Sequence, residues 1–158
     1  MIAPSSHGAA PRPAALESLV CFTLAGRAYA LDVDVVREVI HVGAVVAVPS
    51  APAAIAGVVS LRGATVALVD TPQLLALPAP GEARRLALVI ARQHRTMCAI
   101  TIDRVIGVVR FVHANFIAGE RPREPPEIAG FLPDERAGLV TVLSPRVLLE
   151  AIDRLRFR

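Results

Sequence analysis

The sequence predicts an all-β chain with short helices, built as two small barrels packed on each other. Three observations point there. Short apolar runs follow one another between turns, with little of helical period. The chain also repeats itself: Ile55-Ala56-Gly57 returns as Ile128-Ala129-Gly130 at a shift of 73, where Val66 falls on Leu139, Val69 on Val142, Thr71-Pro72 on Ser144-Pro145 and Leu75 on Leu148. Finally, a half of about 65 residues is marginal alone, so the two must bury surface against each other. The earlier parts match more loosely, Leu19 to Leu31 against Leu86 to Ala99 near shift 68, and Val36 and Val39 against Val105 and Val108 at 69. This gives a tail over 1–16 and a domain over 17–158, with barrels at about 17–78 and 83–145, a last helix at about 145–155, and a Pro/Gly seam at Pro78 to Glu82.

The elements follow in order. Leu19 to Leu24 alternates, and the Ala25-Gly26-Arg27 turn leads into Ala28 to Leu31 as a hairpin. Asp32 or Asp34 can cap a short helix whose Val35, Val36, Val39 and Ile40 form an apolar stripe. Val45 to Val48 reads as a strand. Gly57 to Leu61 and Thr65 to Val69 form a second hairpin around Arg62-Gly63, where Gly63 supplies positive φ. Thr71 caps a short helix with Pro72 at its first position, running through Leu74, Leu75 and Leu77. The second unit repeats the course through Leu86 to Ala91, Met97 to Ile102, Val105 to Phe111, Gly138 to Leu143 and a helix from Pro145 to about Leu155. Ala118 to Pro126, rich in Pro and charge, is a surface insertion.

Composition sets limits. Of 158 residues 54% are apolar and 20% charged, which excludes disorder throughout, and with aromatics at 4% the core must be Val, Leu, Ile and Ala. All 17 basic residues are Arg; against 14 acidic residues the net charge is +3. Cys21 and Cys98 lie in apolar runs with no CxxC, a cytosolic pattern rather than a disulfide framework. Met1 to Ala15 lacks the charge and apolar run of a secretory signal. Val42 to Leu61 carries no formal charge, yet Pro49 and Pro52 at its centre would break a spanning helix, so no membrane insertion is expected.

The search for chemistry finds none. His7, His41, His94 and His113 have no partner at ligand spacing, so no metal is expected. Ser60 lacks the second glycine of a nucleophile elbow, Ser144 reads as a helix cap, and no phosphate-cradling glycine run exists, so no catalytic residue and no cofactor are expected. Asp70 and Asp103 end strands and read as capping or turn aspartates rather than an acid/base pair. The Arg clusters at 84–85, 92 with 95, and 154, 156 and 158 keep a basic nucleic-acid-binding barrel as the alternative from another class. Their mixing with acids and the few aromatics weigh against it, so no nucleic-acid partner is expected. What remains is the charged tip Leu61-Arg62-Gly63 among apolar strands, which suits an adaptor working through protein surfaces.

The residues resemble the CheW coupling proteins of bacterial chemosensory arrays. The resemblance rests on Phe22-Thr23-Leu24, Tyr29-Ala30-Leu31, Val36-Arg37-Glu38-Val39, Pro49 with Pro52, Gly57 to Gly63, Val69-Asp70, Leu74-Leu75, and Ile102-Asp103-Arg104-Val105-Ile106-Gly107-Val108-Val109, and it covers roughly Leu19 to Ile152. It implies two SH3-like five-stranded β-barrels and no enzymatic activity. It further implies a cytoplasmic adaptor, peripheral to the membrane through receptor arrays, that links the cytoplasmic tip of a chemoreceptor to the regulatory domain of a CheA-type histidine kinase. By position, Val36, Glu38, Val39, Arg62, Val105 and Val108 would face the receptor, while Gly57, Gly63 and Asp70 would be turn or structural residues. On this reading Arg62→Glu weakens receptor recruitment and leaves the thermal midpoint nearly unchanged.

Overall fold

Runs such as Leu86 to Ala91 are apolar at every position because their strands are buried on both faces, leaving no polar side to alternate with. In the computed structural model, which describes residues 16–78, 85–92, 96–112, 115–119 and 126–156, strands dominate and form two sheets. The strands are β1 (Leu16–Leu24), β2 (Arg27–Asp32), β3 (Val36–His41), β4 (Ile55–Leu61), β5 (Ala64–Val69), β6 (Leu86–Arg92), β7 (Thr96–Ile102), β8 (Arg104–Val112), β9 (Ile117–Ala118), β10 (Ile128–Asp134) and β11 (Gly138–Leu143). Helices α1 (Thr71–Leu74) and α2 (Pro145–Arg156) each follow a second hairpin.

The sheets run β8-β1-β2-β11-β10-β9 and β3-β6-β7-β5-β4, here sheet A and sheet B. Neither is a contiguous half of the chain. Each unit keeps its hairpins, β1–β2 and β4–β5 or β6–β7 and β10–β11, but the ladders joining those hairpins into sheets cross between units: β1–β8, β2–β11, β3–β6 and β5–β7. The expected barrels at 17–78 and 83–145 are therefore repeat units that exchange strands, and the last helix runs to Arg156. Strand pairing between distant segments follows the apolar faces, not chain proximity, which is why a reading by contiguous halves misses it.

The registers refine the repeat. Val59↔Val66 in one hairpin answers Leu132↔Val140 in the other, a shift of 73 before the turn and 74 after it. The second turn holds three residues, Glu135 to Ala137, where the first holds Arg62 and Gly63. Val66 thus matches Val140, not Leu139, and Asp70 matches Ser144. Both cap helices: Asp70 Oδ1 accepts from Gln73 N at 3.3 Å and Ser144 Oγ from Val147 N at 3.4 Å. The cap of α1 is therefore Asp70, one residue before the expected Thr71.

Three clusters hold the fold. Facing residues of β1, β2, β6 and β7, with Leu143, Leu148, Leu149 and Ile152, build a core shared by the two sheets; Phe22, Leu31, Leu88 and Ile100 have no exposed surface. The opposite faces enclose one small core per sheet. Phe111 on β8 and Leu132 on β10 share one with Leu19 and Cys21, and Val59, Val66 and Leu68 share the other with Ala87 and Ala99. Strands from opposite sides of each sheet meet there, so each sheet curls toward a barrel. The hydrogen-bonded circuit is left incomplete, and the chain itself spans the gap. After β8 it runs to β9, which pairs β10, and after β3 it reaches Val46, which pairs Val58.

The glycines of the repeat mark those crossings. A Cβ on Gly57 would lie 2.5 Å from Val46 O, and one on Gly130 2.2 Å from Ile117 O, so the crossing backbone fits only over glycine. Expectations corrected by the structure include the helix over Val35 to Ile40, which is a 3-10 turn at Val33–Val35 followed by strand β3. The Val45 to Val48 strand reduces to the single Val46 bridge. β1 takes in Leu16, the last residue of the expected tail; the rest of that tail, most of the Pro78 to Glu82 seam, most of the Ala118 to Pro126 insertion, His7, His94 and His113 lie outside the described residues.

Candidate functional site

β3 and β8 occupy equivalent places at the free edges of the two sheets, and they carry five of the six expected contact residues. An edge strand leaves backbone donors and acceptors unpaired along one side, and apolar side chains there are available to a partner. On β3, Val39 pairs Leu88 of the shared core and stands 43% exposed, whereas Val36 is half-buried against that core. On β8, Val105 pairs Phe22 and Val108 pairs Val20; they are 40% and 61% exposed. Cross-strand partners share a face, so Val39, Val105 and Val108 all stand on the inter-sheet side of their edges.

Glu38 points the other way. A bulge at Arg37 puts Glu38 on the same face as Ile40, over the small core of sheet B. There it pairs with Arg62 from the β4–β5 turn. β3 and β4 are the first and last strands of sheet B, so this ion pair ties its two edges together. Arg62 (φ 47°) and Gly63 (φ 80°) both have positive φ, as a type I′ hairpin turn requires. Of the expected residues, then, Glu38 and Arg62 are in contact, while Val36, Val39, Val105 and Val108 are spread over two equivalent edges. Asp70 caps α1, and Asp103 Oδ2 accepts from Ala25 N at 2.9 Å, tying the β7–β8 crossover to the first hairpin.

The repeat exposes what a motif search misses. At the shift of 69 that sets Val36 on Val105, Glu38 falls on Gly107, so sheet A has no carboxylate at its own closing position. A cleft of about 260 Å3 opens there between Ile106 to Val109 and the turn residues Asp134 and Arg136. A second hollow of about 240 Å3, lined by Leu19, Phe111, Phe116 and Val142 with Glu17 and Asp32, lies at the start of α2. Its counterpart in sheet B is bridged. Thr101, which pairs Ala87 as Asp32 pairs Leu19, accepts from Thr71 N at 3.1 Å through its buried hydroxyl. In sheet A the residue at the place of Thr71 is Pro145, which has no N–H to satisfy, and Asp32 instead accepts from Asp34 N at 2.8 Å.

Two buried groups, Cys21 and Tyr29, are held toward their neutral forms. Burial, with a smaller contribution from the Asp134 charge, pushes the Cys21 thiol up to about 11, and burial raises Tyr29 against a lowering by Arg27. Among the described residues no group of three His, Cys, Asp or Glu side chains is arranged to hold a metal ion, and no helix is long and apolar enough to cross a membrane.

Strand exchange, a shared aliphatic core and apolar free edges define a duplicated two-sheet β domain. The chain belongs to the CheW-like domain family, whose model matches residues 18–153. It is 22% identical over 130 residues to a probable chemotaxis protein CheW of Rhizobium etli, covering 82% of this chain and 80% of that protein. It is 28% identical over 92 residues to the chemotaxis protein CheW of Thermotoga maritima, covering 58% of this chain and 60% of that one. The crystal structure of the scaffolding protein TtCheW from Thermoanaerobacter tengcongensis shares the fold, with a TM-score of 0.72 at 18% identity over 81% of this chain and 88% of that one.

Proposed function

We propose that this protein is a non-catalytic, cytoplasmic adaptor that couples the cytoplasmic tip of a chemoreceptor to the regulatory domain of a CheA-type histidine kinase. The family match over 18–153 carries the reading. The names of its relatives, chemotaxis proteins and a scaffolding protein, support it. The surface suits such coupling, because a receptor tip is a helical hairpin and the apolar edges at Val39, Val105 and Val108 offer a helix an apolar seat, with Val36 behind them in the core. Glu38 and Arg62 close sheet B beside that seat and offer charge for register. Coupling of this kind needs no cofactor, metal, nucleic acid or membrane insertion.

The test is reconstitution of the chain with a kinase and a receptor fragment from the same cell. Kinase autophosphorylation that rises only when the chain is added supports coupling. Activity indifferent to the chain in every such pairing refutes it. Val108→Arg, which sets a charge on the exposed apolar edge, should abolish the increase while the melting curve stays in place.

A further inference from the structure

The two sheets are built on one plan, yet their closures differ. In sheet B the closing place is filled from within, by Glu38 on Arg62. In sheet A that place belongs to Gly107, whose φ of +147° lies where L side chains rarely go, so the backbone itself excludes a carboxylate there. Space follows: nothing lies within 4 Å of where a Cβ would stand, and the cleft beside it reaches the turn between β10 and β11.

That turn carries three charged side chains, Asp134 and the exposed Glu135 and Arg136. Asp134 Oδ2 accepts from Arg136 N at 3.0 Å and from Ala137 N at 2.8 Å, so its carboxylate is committed to holding the turn. Arg136 lines the cleft with Asp134, and among the described residues no carboxylate stands within ion-pair distance of the Arg136 guanidinium. Arg104 and Arg110, both exposed, sit toward the two ends of β8, with Ile106 and Val108 exposed between them. An apolar strip set among three arginines calls for a partner helix with an apolar stripe flanked by acidic residues.

We propose that the cleft beside Gly107 takes a carboxylate side chain from the chemoreceptor helix lying along β8, paired with Arg136 as Glu38 is paired with Arg62 in the other sheet. The inference rests on the reading that a receptor docks on the β8 edge, and it adds the chemistry of one contact. Val108 belongs both to that edge and to the cleft wall, so a helix lying along the β8 edge has the cleft beside it, on the face opposite the shared core. The partner thus supplies the closing charge that sheet A lacks.

The experiment measures binding of the receptor's cytoplasmic tip fragment to the full chain, to Arg136→Ala and to Arg136→Glu, each at low and at high salt. The expected result is binding weaker by about tenfold for Arg136→Ala and by more for Arg136→Glu, with a shallower salt dependence for Arg136→Ala and melting curves that overlay the parent's. Replacing one acidic residue of the fragment with Arg should restore binding to Arg136→Glu. Equal binding by all three proteins overturns the inference while leaving receptor docking intact. Weaker binding with an unchanged salt slope also overturns it, since packing rather than charge would have been lost. A parent chain that does not bind the fragment removes the docking reading and this contact with it.

Discussion

Arg62 is the residue at which a binding role and a structural role can be told apart quantitatively. Its side chain is 73% exposed and that of its partner Glu38 28%, so the pair is worth only about 0.5 kcal/mol. Its backbone sits at φ 47°, where a residue with a Cβ loses about 1 kcal/mol that Asn tolerates better. Arg62→Asn trades the pair for a better turn and should melt within about 2 °C of the parent. Arg62→Ala loses the pair with no such gain. Arg62→Glu loses the pair and sets two carboxylates against each other; at about 4 Å in a mostly aqueous setting that adds about 1 kcal/mol. The total of about 1.5 kcal/mol corresponds to a midpoint lower by about 3–6 °C in a chain of this size. This revises the expectation of a nearly unchanged midpoint, because Arg62 spans the open edges of sheet B. Thermal melts of the three variants at low and high salt decide it: the deficit of Arg62→Glu should shrink with salt, and Glu38→Arg combined with Arg62→Glu should recover most of it. If Arg62→Glu and Arg62→Asn melt together at low salt, the seam argument is wrong.

Other outcomes follow from the same geometry. Gly57→Ala and Gly130→Ala should each cost about 2 kcal/mol or more in denaturant titrations, since the new Cβ meets crossing backbone at 2.5 and 2.2 Å, whereas Gly26→Ala meets no atom and should cost less. Native Cys21 should resist alkylation at pH 8. Its folded value of about 11 lies above the ordinary 9.0, so the protonated thiol favours the fold, and that contribution is complete below about pH 9 and fades as pH rises toward 11. Stability measured from pH 8 to 11 should fall, and Cys21→Ala should flatten the fall. Segments 16–78 and 85–156, made as separate chains, should show little ordered strand alone and form a one-to-one complex on mixing, because the ladders between hairpins cross units. A segment that melts cooperatively alone would contradict the strand exchange.

Much of the strand content was legible because β1, β2, β4 to β8 and β11 are largely apolar runs bounded by turns, and in β6 burial on both faces writes itself directly into composition. β3 was not. Val35, Val36, Val39 and Ile40 fit a helical stripe because the bulge at Arg37 inserts one residue into an alternating strand, turning a spacing of two into three and four. β10 was hidden by Pro133, although Ile128-Ala129-Gly130 already repeated the start of β4. The duplication was visible and the exchange was not: a self-match reports which residues correspond and is silent on which strands pair. For the candidate site, only the family resemblance placed Glu38 and Arg62 together in function. Their physical contact across sheet B needed coordinates, as did the cleft opposite Gly107, whose only trace in the sequence is a glycine standing where the first unit has glutamate.

That last difference shows how a duplicated fold can divide its labour. Both units must supply the pairing edges, the crossing glycines and the helix caps, because each sheet is assembled from both, and a loss in either copy would open both sheets. Side chains at the closing positions carry no such obligation. One copy can seal its seam with an ion pair and so fix the geometry of its edge. The other can leave a gap and an unpaired guanidinium without disturbing the shared core, where Phe22, Leu88 and Ile100 stay fully buried. Strand exchange makes the pair of sheets one cooperative unit, so a partner that fills the gap in sheet A acts on the same packed core that Glu38 and Arg62 brace from sheet B.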